Sequence, residues 1–72
     1  MAEKIKAFGD GGATCTIQQM LPYGVSGGAK NMTPGQFAAY ERAKLTADKR
    51  NQGDLEKAKQ ILEAAGFEVY WA

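Results

Sequence analysis

The sequence predicts a small α+β domain of two layers in the order β-β-α-α-β, a three-stranded antiparallel-type sheet with a helical hairpin on one face. Three features carry this expectation. Two short β-prone runs flank Gly9-Asp10-Gly11-Gly12, helical spacing fills residues 34–50 and 54–65, and Phe67-Glu68-Val69-Tyr70-Trp71 reads as a strand.

Residues 4–19 form the expected hairpin, because Asp-Gly and Gly-Gly tolerate positive φ and so punctuate a turn. After the turn, Cys15 and Ile17 fall on one side of a strand and Thr14, Thr16 and Gln18 on the other, which gives one dry and one wet face. Before it, Ile5 and Ala7 oppose Lys4 and Lys6, and Phe8 falls on the lysine side unless a bulge turns it inward. Residues 21–33 contain Pro22, Gly24, Gly27 and Gly28 and read as a loop. Leu21 and Tyr23 are expected to pin its first end and Thr33-Pro34 its second, with residues 24–31 the most mobile internal stretch.

Thr33 suits an N-cap, Pro34 the first helical position and Gln36 the third residue of a capping box. Along helix 34–50, Ala39, Ala43 and Ala47 form a ridge of small residues beside Tyr40, with Leu45 on the opposite side. Asn51-Gln52-Gly53 interrupts the pattern and Asp54 caps a second helix, 54–65, in which Leu55, Ala58, Ile61, Leu62 and Ala65 share one arc. Gly66 is an expected C′ glycine. Strand 67–71 then places Phe67, Val69 and Trp71 on the core face and Tyr70 on the other.

Seventy-two residues make one domain, 1–72. The apolar fraction is 44%, but twelve residues are alanine and Leu, Ile, Val and Phe together number only twelve. Such a core is thin, and a chain of this kind is expected to borrow stability from a larger partner or from self-association. Nine basic against eight acidic residues leave a net charge of +1, which argues against a dedicated DNA-coating protein. The absence of histidine removes the imidazole base, the histidine metal ligand and the His-based triad. A single cysteine, Cys15, supports neither an intrachain disulfide nor a cysteine zinc site, and points to a reducing, cytoplasmic setting. No run reaches the ~18 apolar residues of a membrane span, and the first residues lack the apolar core of a secretory signal.

Four surfaces are candidates for binding. The first is the glycine-rich loop, with Tyr23, Gly24, Gly27, Gly28, Lys30 and Asn31 as contact residues. Its backbone N–H groups suit a phosphate, although no Walker A pattern is present and Gly24-Val25-Ser26-Gly27 shares only its two glycines with the KH-type Gly-x-x-Gly. The second is the first helix, where Ala38, Glu41, Arg42 and Lys49 ring Leu45; if the alanine ridge is buried, Leu45 is an apolar centre with a charged rim, and if Leu45 faces the core, the alanine ridge is left for a partner. The third is the basic stretch 42–59, six positive residues against three negative, in which Glu41 and Lys44, and Glu56 and Lys59, have the spacing of local ion pairs. The fourth is the sheet face away from the helices, where Lys4, Lys6, Phe8 and Tyr70 compose an aromatic-basic platform of the kind on which unstacked bases lie.

No catalytic residue, metal-ligand set or cofactor site emerges. Cys15 has no base to activate it, and no carboxylate pair has a spacing that argues for acid–base chemistry. The leading expectation is therefore a non-catalytic binding protein that docks on a larger protein. Its size and composition are those of the small accessory or inhibitor proteins that phages and other mobile elements direct against host machinery. The alternative is a nucleic-acid-binding module using the sheet face or the 42–59 patch, and the third reading is a phosphate or cofactor binder built on the glycine loop.

Overall fold

The computed structural model describes residues 4–72, so residues 1–3, at the head of the stretch read as lacking a signal core, lie outside it. The chain folds as an α+β domain with a five-stranded antiparallel sheet and two helices. Strands β1 (Lys4–Phe8) and β2 (Thr14–Gln19) form the hairpin, joined through a short 3-10 turn at Asp10–Gly12. Two further strands of two residues each, β3 (Val25–Ser26) and β4 (Ala29–Lys30), lie along the outer edge of β2. Helices α1 (Pro34–Ala47) and α2 (Leu55–Ala64) follow, and β5 (Glu68–Trp71) returns antiparallel to β1. The sheet thus runs β5-β1-β2 and ends in β3 and β4.

Two of the five strands come from the segment predicted to be a loop. The pairs Gln19–Val25, Gln18–Ser26, Cys15–Ala29 and Thr14–Lys30 share one register, so residues 25–30 follow β2 as a single strand broken at Gly27-Gly28. At the break the amide of Thr16 still donates to the carbonyl of Gly28 at 2.9 Å, and the amide of Gly28 donates to Thr16 Oγ1 at 3.2 Å. Gly27 lies so close over β2 that a Cβ there would overlap the Thr16 carbonyl oxygen. The pattern Val-Ser-Gly-Gly-Ala-Lys hides this strand, because its middle lacks the side chains from which alternation is read. Leu21 and Tyr23 do not pin the segment, since Leu21 is 82% and Tyr23 61% exposed. Backbone bonds hold it instead: Met20 N to Gly24 O at 3.1 Å, and Gly24 N to the Asp48 carboxylate at 3.2 Å.

The helices start and stop for local reasons. Thr33 Oγ1 accepts from the amide of Gln36 while Gln36 Oε1 accepts from the amide of Thr33, a complete capping box. Helix α1 ends at Ala47 and not at residue 50, because Asp48 leaves helical geometry (φ −66°, ψ 126°) to bond Gly24 and Arg50. Asp54 Oδ1 caps α2 through the amide of Lys57. Gly66, at φ 95°, closes α2 in a Schellman arrangement, with Gly66 N bonded to Glu63 O and Phe67 N to Leu62 O.

The core lies between the helices and one sheet face. Ile5, Ile17 and Leu62 are its largest fully buried side chains, and Ala7, Ala13, Ala43, Ala47 and Ala58 fill much of the remainder. The alanine ridge of α1 is the buried side, which leaves Leu45 61% exposed. Trp71 keeps to the predicted face, opposite Ile5, but it is 50% exposed at the far end of an edge strand. Gln19 joins the layers at the other end by donating to Ala47 O at 2.9 Å and Gly53 O at 3.0 Å.

The two adjacent glycines should respond oppositely to the same change. Gly27→Ala must push the outer strand off β2 and is expected to cost about 1–3 kcal/mol, as overpacking does. Gly28→Ala, whose Cβ would meet nothing within 4 Å, should stay within about 0.5 kcal/mol of the parent. Denaturant melts of the two variants check this contrast.

Candidate functional site

Residues directly opposite one another in an antiparallel pair point to the same face. The register therefore sets out the uncovered side of the sheet in rows. One row runs Ser26, Gln18, Lys4; the next Thr16, Lys6, Tyr70, with Gly28 beside Thr16; the third Lys30, Thr14, Phe8, Glu68. The helices cover the opposite face, where Ile5, Ala7, Cys15, Ile17 and Val69 are buried.

Two aromatic rings stand on the open face. Phe8 is 42% and Tyr70 54% exposed, and they meet edge to face with centroids 6.0 Å apart and ring planes at 63°. The Lys6 ammonium lies 5.9 Å from the centre of the Phe8 ring, a cation–π contact. Among the described residues, none of Lys4, Lys6 and Lys30 has an ion-pair partner. The only carboxylate in the three rows is Glu68. The face thus offers three cationic side chains, two accessible rings and the hydroxyls of Thr14 and Thr16.

Beside the rings the face dips. An open depression of about 360 Å³ is lined by Gly28 together with Lys6, Thr14, Thr16 and Lys30. Residues from two separate sequence candidates, the glycine loop and the sheet platform, are here parts of one surface. Sequence reasoning did not connect Lys30 and Gly28 with Lys6, since only the strand register does so, and it passed over Thr14 and Thr16 as wet-face polar residues.

The remaining candidate residues are scattered. Gly24 is tied to Asp48 and Asn31 Nδ2 reaches Gly12 O at 3.4 Å, so both serve to hold the outer strand. Tyr23 is exposed beside Gly24, on the stretch between β2 and β3. The 42–59 patch is partly neutralised by Glu41–Lys44, Asp48–Arg50 and Lys59–Glu63, at 2.9, 2.8 and 2.9 Å. Lys59 thus pairs with Glu63 and not with Glu56. Ala38, Glu41, Arg42 and Lys49 are exposed around Leu45, an isolated apolar point on a polar helix surface.

Chemistry is sparse elsewhere. Burial pushes the Cys15 thiol up to about 11, so it stays protonated near neutral pH and is a poor nucleophile. Among the described residues no group of three or more His, Cys, Asp or Glu is placed to hold a metal, and no helix is long and apolar enough to cross a membrane. Compared with protein-family models, curated proteins and solved structures, the chain matches none.

Asp48 is the most perturbed acid. The hydrogen bonds from the Arg50 side chain lead the causes, and those from the amides of Arg50 and Gly24 add to them, lowering its carboxyl from 3.8 to about 2. A depressed folded-state pKa stabilises the fold above the unfolded value, and that contribution fades as pH falls through about 2. Asp48→Asn should lower the melting temperature at pH 7 and flatten the decline between pH 4 and pH 2. Thermal melts across that window read both effects.

Proposed function

We propose that this chain is a small non-catalytic binding protein whose working surface is the open sheet face and whose ligand is single-stranded nucleic acid. The sequence alone ranks protein docking first. What supports the other order is one observation: Lys4, Lys6 and Lys30 share an uncovered sheet face with the exposed Phe8–Tyr70 pair. Cationic groups take phosphates while exposed rings take unstacked bases, and an anionic strand complements the charge of this face. Exposed rings on an open sheet face favour a strand whose bases are free to turn outward and stack.

Titration with a single-stranded oligonucleotide at low salt should give saturable NMR shifts at Lys6, Phe8, Lys30 and Tyr70. Tyr70→Ala should weaken binding about 5- to 100-fold, the loss of one stacked base. Affinity should fall with salt, with a log–log slope reduced by about 0.7 for each lysine removed. An unchanged spectrum at those residues, at concentrations where comparable modules saturate, would reject the proposal.

Leu45 supports the second reading, a protein partner seated on α1, because its 61% exposure lies among Ala38, Glu41, Arg42 and Lys49. On this reading Leu45→Asp leaves the melting temperature within about 4 °C of the parent, since surface changes stay near ±0.5 kcal/mol, and abolishes partner recovery in a pull-down. Nuclease-sensitive recovery that Leu45→Asp leaves intact returns the choice to the sheet face.

A further inference from the structure

We infer that the depression at Gly28 seats one nucleotide of the bound strand, with its phosphate taken by Lys30 and Lys6 and its base laid on the apolar floor between Thr16 and Thr14. The inference rests on the sheet-face reading and adds a defined subsite to it.

Three observations lead to it. First, Gly28 lines the depression and brings no side chain to it. Residue 28 falls on the open face beside Thr16, and any Cβ there would project into empty space. Gly28 is therefore not required by packing, in contrast to Gly27, whose Cβ would strike the backbone of β2. Secondly, its lining is two-sided. Cys15 is buried and Ala29 lies beside it on the outer strand, and the surface of the depression is poor in polar atoms. Its charged residues are Lys6 and Lys30, and the Thr16 hydroxyl is already engaged by the amide of Gly28. An apolar floor with a cationic rim suits a planar ring carrying a phosphate better than it suits a bare anion, which needs convergent donors. Thirdly, about 360 Å³ lies at the small end of the ~300–1,000 Å³ of small-molecule sites, the scale of one nucleotide. The Phe8–Tyr70 pair stands in the same two rows, on β1 and β5, so a strand leaving the depression across the sheet meets a stacking surface next.

The test uses Gly28→Val, which adds a side chain to the lining at a position where a Cβ meets nothing within 4 Å, and Tyr70→Ala, which removes a platform ring outside it. The probes are thymidine monophosphate, inorganic phosphate and an oligothymidylate of about ten nucleotides, on the scale of one sheet-borne site. Thymidine monophosphate should shift the amides of Thr14, Thr16 and Lys30 in the parent protein and not in Gly28→Val. Gly28→Val should also weaken the oligonucleotide about tenfold or more, the loss of one seated base. If Gly28→Val binds the oligonucleotide like the parent while Tyr70→Ala weakens it, the subsite is wrong and the sheet-face reading stands. If neither the parent nor either variant binds it, both are wrong. Equal shifts with inorganic phosphate alone would remove the base from the site and overturn the inference as stated. Should Gly28→Val lower the melting temperature, Lys30→Gln replaces it, and the same loss of monophosphate shifts is required.

Discussion

The pairing of residues 25–30 onto the outer edge of β2 is the contact around which the rest of this domain is arranged. It gives β2 a neighbour on each side and turns a hairpin plus one returning strand into a sheet wide enough to carry a surface. It needs a backbone approach at Gly27 that no side chain would allow, and it holds the break through the amides and carbonyls of Thr16 and Gly28. At one end the carboxylate of Asp48, withdrawn from the end of α1, accepts from Gly24. At the other, Asn31 reaches the turn of the hairpin. The same pairing sets Lys30 opposite Thr14 and so determines which charges share a face with the aromatic pair.

A thin core makes such polar ties important. Alanine supplies much of the buried surface, and each alanine buries little apolar area, so hydrophobic gain per residue is small. Tyr40, Leu62 and Phe67 are the larger groups packed among the alanines of that core. The stability that volume does not provide comes from satisfied ends: a complete capping box at Thr33, the Asp54 cap, the Schellman close at Gly66 and the Gln19 bonds to both sides of the helical hairpin. Among the described residues, no buried side-chain nitrogen or oxygen lacks a hydrogen-bond partner.

The two-layer design leaves one sheet face without cover, and that face concentrates what the chain has to offer a ligand. Its net charge of +1 hides an uneven distribution. On the helices, much of the positive charge meets carboxylates within a turn, whereas the lysines of β1 and β4 have no such neighbour among the described residues. Separation of paired from unpaired cations is a property of the folded surface and is invisible in the total.

Local chemistry determined much from the sequence alone. Alternation in 4–8 and 14–19 gave the hairpin and its two faces, and predicted correctly that Phe8 stands with Lys6 and that Cys15 is buried. Thr33, Gln36, Asp54 and Gly66 marked helix ends because capping acts within three or four residues and leaves its signature in sequence. Contacts between distant residues were not legible. The added edge strand carries glycines where a pattern would be read, the early stop of α1 draws on Gly24, 24 residues away, as well as on the neighbouring Arg50, and the exposure of Trp71 goes with its place at the end of an edge strand. The binding face divides in the same way. Each of its residues could be assigned to a wet side from its own strand, but only the register between β4, β2, β1 and β5 brings Lys30, Gly28, Thr16, Lys6, Phe8 and Tyr70 onto one surface. Register is set by pairing across the sheet, which a strand's own alternation does not specify.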